Sequence, residues 1–208
     1  MVLSSTDLIW YYTDGATGAA DNTLSIGGTI ADDTVQSGLD ENVFDDVTGA
    51  ESESGESHYR AIALMNTNAT HDYLNYECWI LGYTRSGSTA DTIWFALELP
   101  ASDPGTIASA ADEYTTPDTT GFVQTWVVEG SPSETITPTG NTLMAGGGTA
   151  SWVGIWLWRT IPPGASAYSN RDCTIKFRGE TTGSPRMVIE KTWSVIWNKD
   201  GQISVRSI

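Results

Sequence analysis

The segment that most constrains the fold of this chain is residues 151–168, which read SWVGIWLWRTIPPGASAY. Its first half alternates with the two-residue period of a β-strand, so Val153, Ile155 and Leu157 share one face. The opposite face is also apolar, because it carries three tryptophans, Trp152, Trp156 and Trp158. A strand that is apolar on both faces is either covered on both sides or presents a tryptophan surface to a partner.

The rest of the composition favours an all-β fold. Thr, Trp, Tyr, Val and Ile suit pleated surfaces, while 21 glycines and 8 prolines supply turns. Short runs with strand patterning, separated by turn signals, predict a single antiparallel β-sandwich, either immunoglobulin-like or jelly-roll. Val35, Leu39, Val43 and Val47 recur at four-residue spacing, which predicts a few helical turns between the first strands.

The predicted sandwich occupies residues 1–180. After a TTGSP joint, Lys199-Asp200-Gly201 separates two alternating runs, and Asp-Gly between such runs is a strong hairpin signal. The sequence therefore predicts a C-terminal β-hairpin extension at residues 186–208.

The charge is acidic and unevenly distributed. The formal net charge is −16, and residues 1–158 hold 22 of the 26 acidic side chains but only two of the ten bases. An acidic body repels phosphates, so we expect no nucleic-acid partner. The excess of acid is typical of solubility or of salty surroundings; the alternative interpretation is that the basic C-terminal end meets an acidic surface of a neighbouring subunit or partner.

Cysteine content and apolar runs give further expectations. Cys78 and Cys173 alternate with apolar neighbours, so we expect two buried thiols, with a cross-sheet disulfide as the alternative. No apolar run reaches the length of a membrane span, and the N-terminus lacks the pattern of a signal peptide. We expect no membrane partner and synthesis in a cytoplasm.

The sequence contains no pattern typical of catalysis. His58 and His71 have acidic neighbours, but no nucleophile-elbow motif accompanies them, and no zinc-binding spacing or P-loop is present. The acidic pairs, such as Asp32-Asp33, offer oxygen ligands for calcium, yet no EF-hand loop occurs. We therefore predict a protein that is not an enzyme and holds no metal or cofactor.

Two segments resemble virion structural proteins of tailed bacteriophages. Residues 44–68 (FDDVTGAESESGESHYRAIALMNTN) and 158–179 (WRTIPPGASAYSNRDCTIKFRG) are similar to an early and a late part of these proteins, with YECWI at residues 76–80 between them. The resemblance covers roughly residues 5–180 and leaves residues 186–208 outside. It implies a structural component of a virus particle, such as a capsid decoration or cement protein.

These observations lead to one main prediction and one alternative. The main prediction is a homo-oligomeric decoration protein, located in the virion, that binds the major capsid protein or other virion proteins by protein–protein contacts. The alternative is a tail-fibre or adhesin-type module that binds glycan through exposed tryptophans. We expect the interface to contain the tryptophans and the C-terminal bases: Trp152, Trp156, Trp158, Arg186, Lys191, Trp193, Trp197, Lys199 and Arg206.

The glycine at position 154 adds a further expectation. It leaves a notch between Trp152 and Trp156 that a neighbouring side chain can fill. We expect the terminal hairpin or another subunit to cover this tryptophan face. The other tryptophans of single strands, Trp79, Trp94 and Trp126, are expected in the core.

Overall fold

The computed structural model describes residues 3–13, 25–39, 41–83, 91–99, 106–128, 142–143, 145–146, 151–164 and 168–199. A 3-10 turn at Ser5–Asp7 and one helix, α1 (Gly49–Ser54), accompany the strands. The strands are β1 (Leu8–Thr13), β2 (Gly27–Thr34), β3 (Glu56–Asn66), β4 (Tyr73–Tyr83), β5 (Thr92–Glu98), β6 (Thr106–Ser109), β7 (Phe122–Val128), β8 (Thr142–Leu143), β9 (Trp152–Ile161), β10 (Tyr168–Thr181) and β11 (Val188–Lys199).

These strands form two antiparallel sheets. The seven-stranded sheet has the order β6-β2-β1-β3-β9-β5-β7, and the four-stranded sheet has the order β11-β10-β4-β8. The predicted all-β sandwich is therefore confirmed. The doubly apolar segment forms β9 and lies in the middle of the larger sheet, between β3 and β5.

The main core fills the space between the two sheets. From the larger sheet it receives the aliphatic face of β9, with Val153, Ile155 and Leu157 fully buried. The smaller sheet contributes Ile175 and Phe177 from β10. Cys78 and Cys173 are buried in the same core and are not bonded to each other, so the expectation of two buried thiols is confirmed.

Strand β11 belongs to this sandwich. It pairs with β10 along its length, and its Trp193 is fully buried and stacks on Trp10 with ring centroids 5.2 Å apart. The sequence predicts an extension beyond the sandwich here. The structure instead makes residues 188–199 the outermost of the described strands of the smaller sheet, where Trp193 fills part of the core. The second half of the predicted hairpin, residues 202–208, lies outside the described residues.

The helical turns predicted from the valine spacing are absent from residues 35–39 and 41–47. Val35, Val43 and Val47 are buried, but Gly38 and Glu41 have φ angles of 75° and 53°, which interrupt a right-handed helix. The helix lies just beyond, at α1. Thr48 caps it by accepting a hydrogen bond from the Glu51 amide, while the Glu51 carboxylate accepts one from the Thr48 amide.

Candidate binding face

The outer face of the seven-stranded sheet carries an ordered set of aromatic side chains. Because strand side chains alternate, every second residue of β3, β5 and β9 points away from the main core. In the register of these strands Trp158 lies directly opposite Tyr59 on one side and Trp94 on the other. The three rings therefore form one line across the sheet.

The rings in this line are stacked. Trp158 lies nearly parallel to Trp94 and to Tyr59, with ring centroids 5.6 Å and 5.7 Å away and interplanar angles of 26° and 16°. Trp126 from β7 meets Trp158 edge-on at 5.5 Å. We call Tyr59, Trp94, Trp126 and Trp158 the aromatic row. Its three tryptophans are partly exposed, which corrects the expectation that Trp94 and Trp126 lie in the core, whereas Tyr59 is buried.

Trp126 is held in an unusual backbone conformation. Its φ angle is 54°, in the left-handed region that bulky residues rarely adopt, and it lies where the pairing of β7 with β5 shifts register. This bulge brings its ring against Tyr59 and Phe122 as well as Trp158. Such outliers persist where the surrounding structure holds them and are common at binding sites.

Trp152 and Trp156 lie further along the same face but are buried, at 1% and 0% exposure. The cover comes from this chain: Ile107 of β6 and Phe122 pack in the same cluster. A Cβ at Gly154 would lie 2.7 Å from Ile107 Cγ2, so the predicted notch is confirmed and Ile107 fills it. The expectation that Trp152 and Trp156 contact a partner is corrected, because β6 already occupies that position.

A buried carboxylate links β6 to β5 and β9, which lie elsewhere in the same sheet. Glu98 Oε1 accepts a hydrogen bond from the Ala108 amide at 2.8 Å, and Oε2 accepts one from Trp156 Nε1 at 3.1 Å. Burial raises the pKa of Glu98, although both hydrogen bonds act in the opposite direction. The carboxylate therefore satisfies two donors that would otherwise be buried without an acceptor.

Beside the aromatic row runs a row of hydroxyl groups. Ser57, Thr160 and Thr92 lie opposite one another in the register, one outward position along from the aromatic residues. They line a groove of about 500 Å³ at the end of the sheet, together with Glu56 and residues 161–163. An aromatic surface thus borders a polar groove.

Below this face lies a buried cluster of charged residues. Arg60 of β3 and Arg159 of β9 are 1% and 0% exposed, and the Phe44 ring lies against both guanidinium groups, with centroid distances of 5.9 Å and 4.7 Å. Arg159 donates to the Asp45 carbonyl at 2.7 Å, and Arg60 donates to the Glu113 carboxylate. Burial lowers the pKa of Arg159 to about 10, so it stays charged at neutral pH. The cluster joins the two segments that carry the virion-protein resemblance.

His58 connects this cluster to a set of residues that resembles a metal site. One ligand atom each from Glu51, Glu56 and His58 lies within 4.8 Å of the others. However, Arg159 lies 2.7 Å from His58 Nδ1, and an arginine can only donate. Nδ1 therefore carries no proton, and neutral His58 holds its proton on Nε2, 3.5 Å from Glu51. A metal would need that nitrogen deprotonated, so these residues do not fit one.

The remaining predicted interface residues other than Arg206 belong to β11 and the turn before it. Arg186 bonds Glu180 at 3.4 Å, Lys191 donates to the Ser5 carbonyl at 3.1 Å, and Trp193 is buried. Burial lowers the pKa of Lys191. The side chains of Trp197 and Lys199, and all of Arg206, lie outside the described part of the molecule. The described members of the predicted interface therefore do not lie on one surface.

The outer face of the smaller sheet differs in character. Trp79 lies beneath Lys176 and Arg178, each 5.7 Å from its ring centroid. These two bases also pair with Glu190 and Glu77. This face is a ladder of paired charges, whereas the aromatic row lies on a face of rings and hydroxyls.

Comparison with known proteins gives no family. No family model and no curated protein matches the chain. Among solved structures, the N-terminal domain of PorA matches with a TM-score of 0.32 and 13% identity, over 86% of this chain and 98% of that one. The CFA/I adhesin CfaE of enterotoxigenic E. coli matches with a TM-score of 0.33 and 9% identity, over 96% of this chain and 50% of that one. Likeness at this level carries no inference.

In the described residues no helix is long and apolar enough to cross a membrane.

Sequence reasoning misses most of this face. It assigns Trp94 and Trp126 to the core and gives no role to Tyr59, Ser57 and Thr92. The alternation of Thr92 with Trp94, and of Trp158 with Thr160, is the available signal. It becomes informative only when the strand register places these pairs side by side.

Proposed function

We propose that this protein is a non-enzymatic recognition module that binds carbohydrate through the aromatic row, as an adhesin-type component of a virus particle. The observation that carries the proposal is the stacked line of partly exposed Trp94, Trp158 and Trp126 on one outer face. Exposed aromatic rings offer large flat surfaces at small entropic cost, and sugar rings stack on such surfaces. The virion-protein resemblance supports the location on a particle.

The proposal is tested by replacing one exposed ring of the row. Trp94→Ala removes the ring at one end of the stacked line, and we expect glycan binding to fall about fivefold to 150-fold, if a sugar ring stacks as strongly as the about 1–3 kcal/mol of a nucleic-acid base on an aromatic ring. A glycan array identifies the ligand, and titration calorimetry then measures its affinity.

Trp79→Ala is the matched control. It removes a partly exposed tryptophan from the outer face of the other sheet, so the loss of a surface ring is the same but the aromatic row is intact. We expect unchanged binding. A wild-type protein that binds no glycan, or equal losses in the two variants, would overturn the proposal.

The second candidate is the capsid decoration protein. It is favoured by the meeting of residues 44–68 and 158–179 in the buried cluster around Phe44, which gives the resembling segments a common structural role. Such a protein binds shell subunits as a homo-oligomer, and symmetry adds many weak contacts. Co-sedimentation with empty capsids, by a protein that binds no glycan, is the result that selects this candidate.

A further inference from the structure

The charges and polar groups of the groove beside the aromatic row indicate which class of sugar binds there. We infer that it accepts sugars without negative charge, including amino sugars, and excludes acidic ones such as uronic and sialic acids. This inference rests on the proposed function, because the aromatic row supplies the stacking surface for the same ligand.

The groove has the size and the polar groups of a sugar site. Its volume of about 500 Å³ lies within the range of roughly 300–1,000 Å³ typical of small-molecule sites. Ser57, Thr92 and Thr160 supply hydroxyl groups from three adjacent strands, and hydroxyls both donate and accept hydrogen bonds. These groups match the many hydroxyls of a sugar that stacks on Trp158 and Trp94.

The charges around the groove are negative. None of the described residues that line it is basic, and one of them, Glu56, is acidic. Glu51 lies next to Glu56, with carboxylate oxygens within 4.8 Å. The described arginines closest in sequence to the groove residues are Arg60 and Arg159. Both are buried, and they form ion pairs with Asp45 and Glu113. A ligand carboxylate would therefore meet like charge and no compensating base.

The shape of the groove is fixed by backbone contacts. Gly164 donates to the Ser52 carbonyl at 2.9 Å, which holds the Pro162-Pro163 turn against the end of α1. A Cβ at Gly55 would lie 2.9 Å from the Pro163 ring, so the two segments are in close contact. The wall that carries Glu56 is therefore positioned before any ligand arrives.

The test compares three probes on the full chain: oligomers of N-acetylglucosamine, of glucosamine and of galacturonic acid. We expect the first two to bind and the acidic oligomer to bind at least tenfold more weakly. Because this difference is electrostatic, it should shrink as the salt concentration rises. Tight binding of the galacturonic acid oligomer that is lost in Trp94→Ala would overturn this inference and leave the proposed function standing. Absence of binding by all three probes and by a glycan array would overturn both.

Two variants locate the selectivity. Glu56→Gln removes the negative charge of this lining residue while nearly keeping its size, and it should reduce the preference for glucosamine over galacturonic acid oligomers about tenfold. Glu53→Gln, an exposed acid on α1 outside the groove lining, is the matched control and should leave the preference unchanged. Thr160→Val should weaken all binding about threefold to tenfold through the lost hydroxyl. A preference that is the same in Glu56→Gln as in the wild type contradicts the assignment.

Discussion

Gly154 of β9 has no side chain and lies between Trp152 and Trp156. Ile107 of β6 packs into the space that this leaves. A methyl group at this position would lie 2.7 Å from Ile107 Cγ2 and 3.4 Å from Glu98 Cβ. Ile107 is itself buried, at 4% exposure. One missing side chain thus allows β6 to cover Trp152 and Trp156 while leaving the aromatic row open.

Gly154→Ala should destabilise the protein by about 1–3 kcal/mol, because an added methyl group overpacks a filled site. The free energy of unfolding, measured by urea titration, checks this value. Combining it with Ile107→Ala, which removes the contacting Cγ2 atom, should cost less than the sum of the two single losses. If the glycine variant is as stable as the wild type, β6 does not press on this notch.

At the scale of single elements, β11 shows why the C-terminal boundary could not be predicted. The Lys199-Asp200-Gly201 turn signal is local, and it correctly indicates that a strand precedes it. Whether that strand joins the sandwich depends on Trp10, which lies far earlier in the chain and stacks on Trp193. Alternation of side chains therefore predicts the strand but not its place in the sheet.

Trp193→Ala should lower the free energy of unfolding by about 3–5 kcal/mol, as expected for a fully buried aromatic residue. Val188→Ala on the same strand is the control. Val188 is 61% exposed, so its truncation should change the stability by less than about 0.5 kcal/mol. Similar small effects of both substitutions on urea unfolding would mean that β11 is a separate extension.

The candidate binding face also depends on the pairing of strands that are far apart in the sequence. The alternation in β9 alone places Trp158 on the face opposite the aliphatic residues, without showing what lies against it. Its neighbours Trp94 and Tyr59 come from strands that lie much earlier in the chain, and only the register brings the three rings into line. The same holds for the cover on Trp156, which comes from β6 and from Phe122 of β7. Local patterns therefore predict the fold class, while the site requires long-range contacts.

At the scale of the whole molecule, the two sheets enclose a core that is apolar at its centre and charged at one end. His58 lies at this end, 1% exposed, between Arg159 and Glu51. Burial, and then the positive charge of Arg159, lower its pKa to about 4, against the opposing effect of Glu113, Glu51 and Asp45. The ring is therefore neutral in the folded protein at neutral pH.

This shift makes the fold sensitive to acid. An unfolded histidine has a pKa of about 6.5, so between about pH 6.5 and pH 4 the unfolded chain binds a proton that the folded chain does not. The stabilisation is complete above about pH 6.5 and is lost as the pH falls towards 4, by roughly 3 kcal/mol in total. Glu113, whose pKa is lowered, adds a loss at lower pH, whereas Glu98, whose pKa is raised, acts in the opposite direction.

The variant His58→Gln isolates the contribution of the histidine from those of the carboxylates. The glutamine amide can accept from Arg159 and donate to Glu51 as neutral His58 does, but it does not titrate. Urea titrations at several pH values between about 7 and 4 should therefore show a flatter stability profile for the variant, by roughly 3 kcal/mol across this window. Parallel profiles for the two proteins would show that acid sensitivity comes from the carboxylates, because they are common to both.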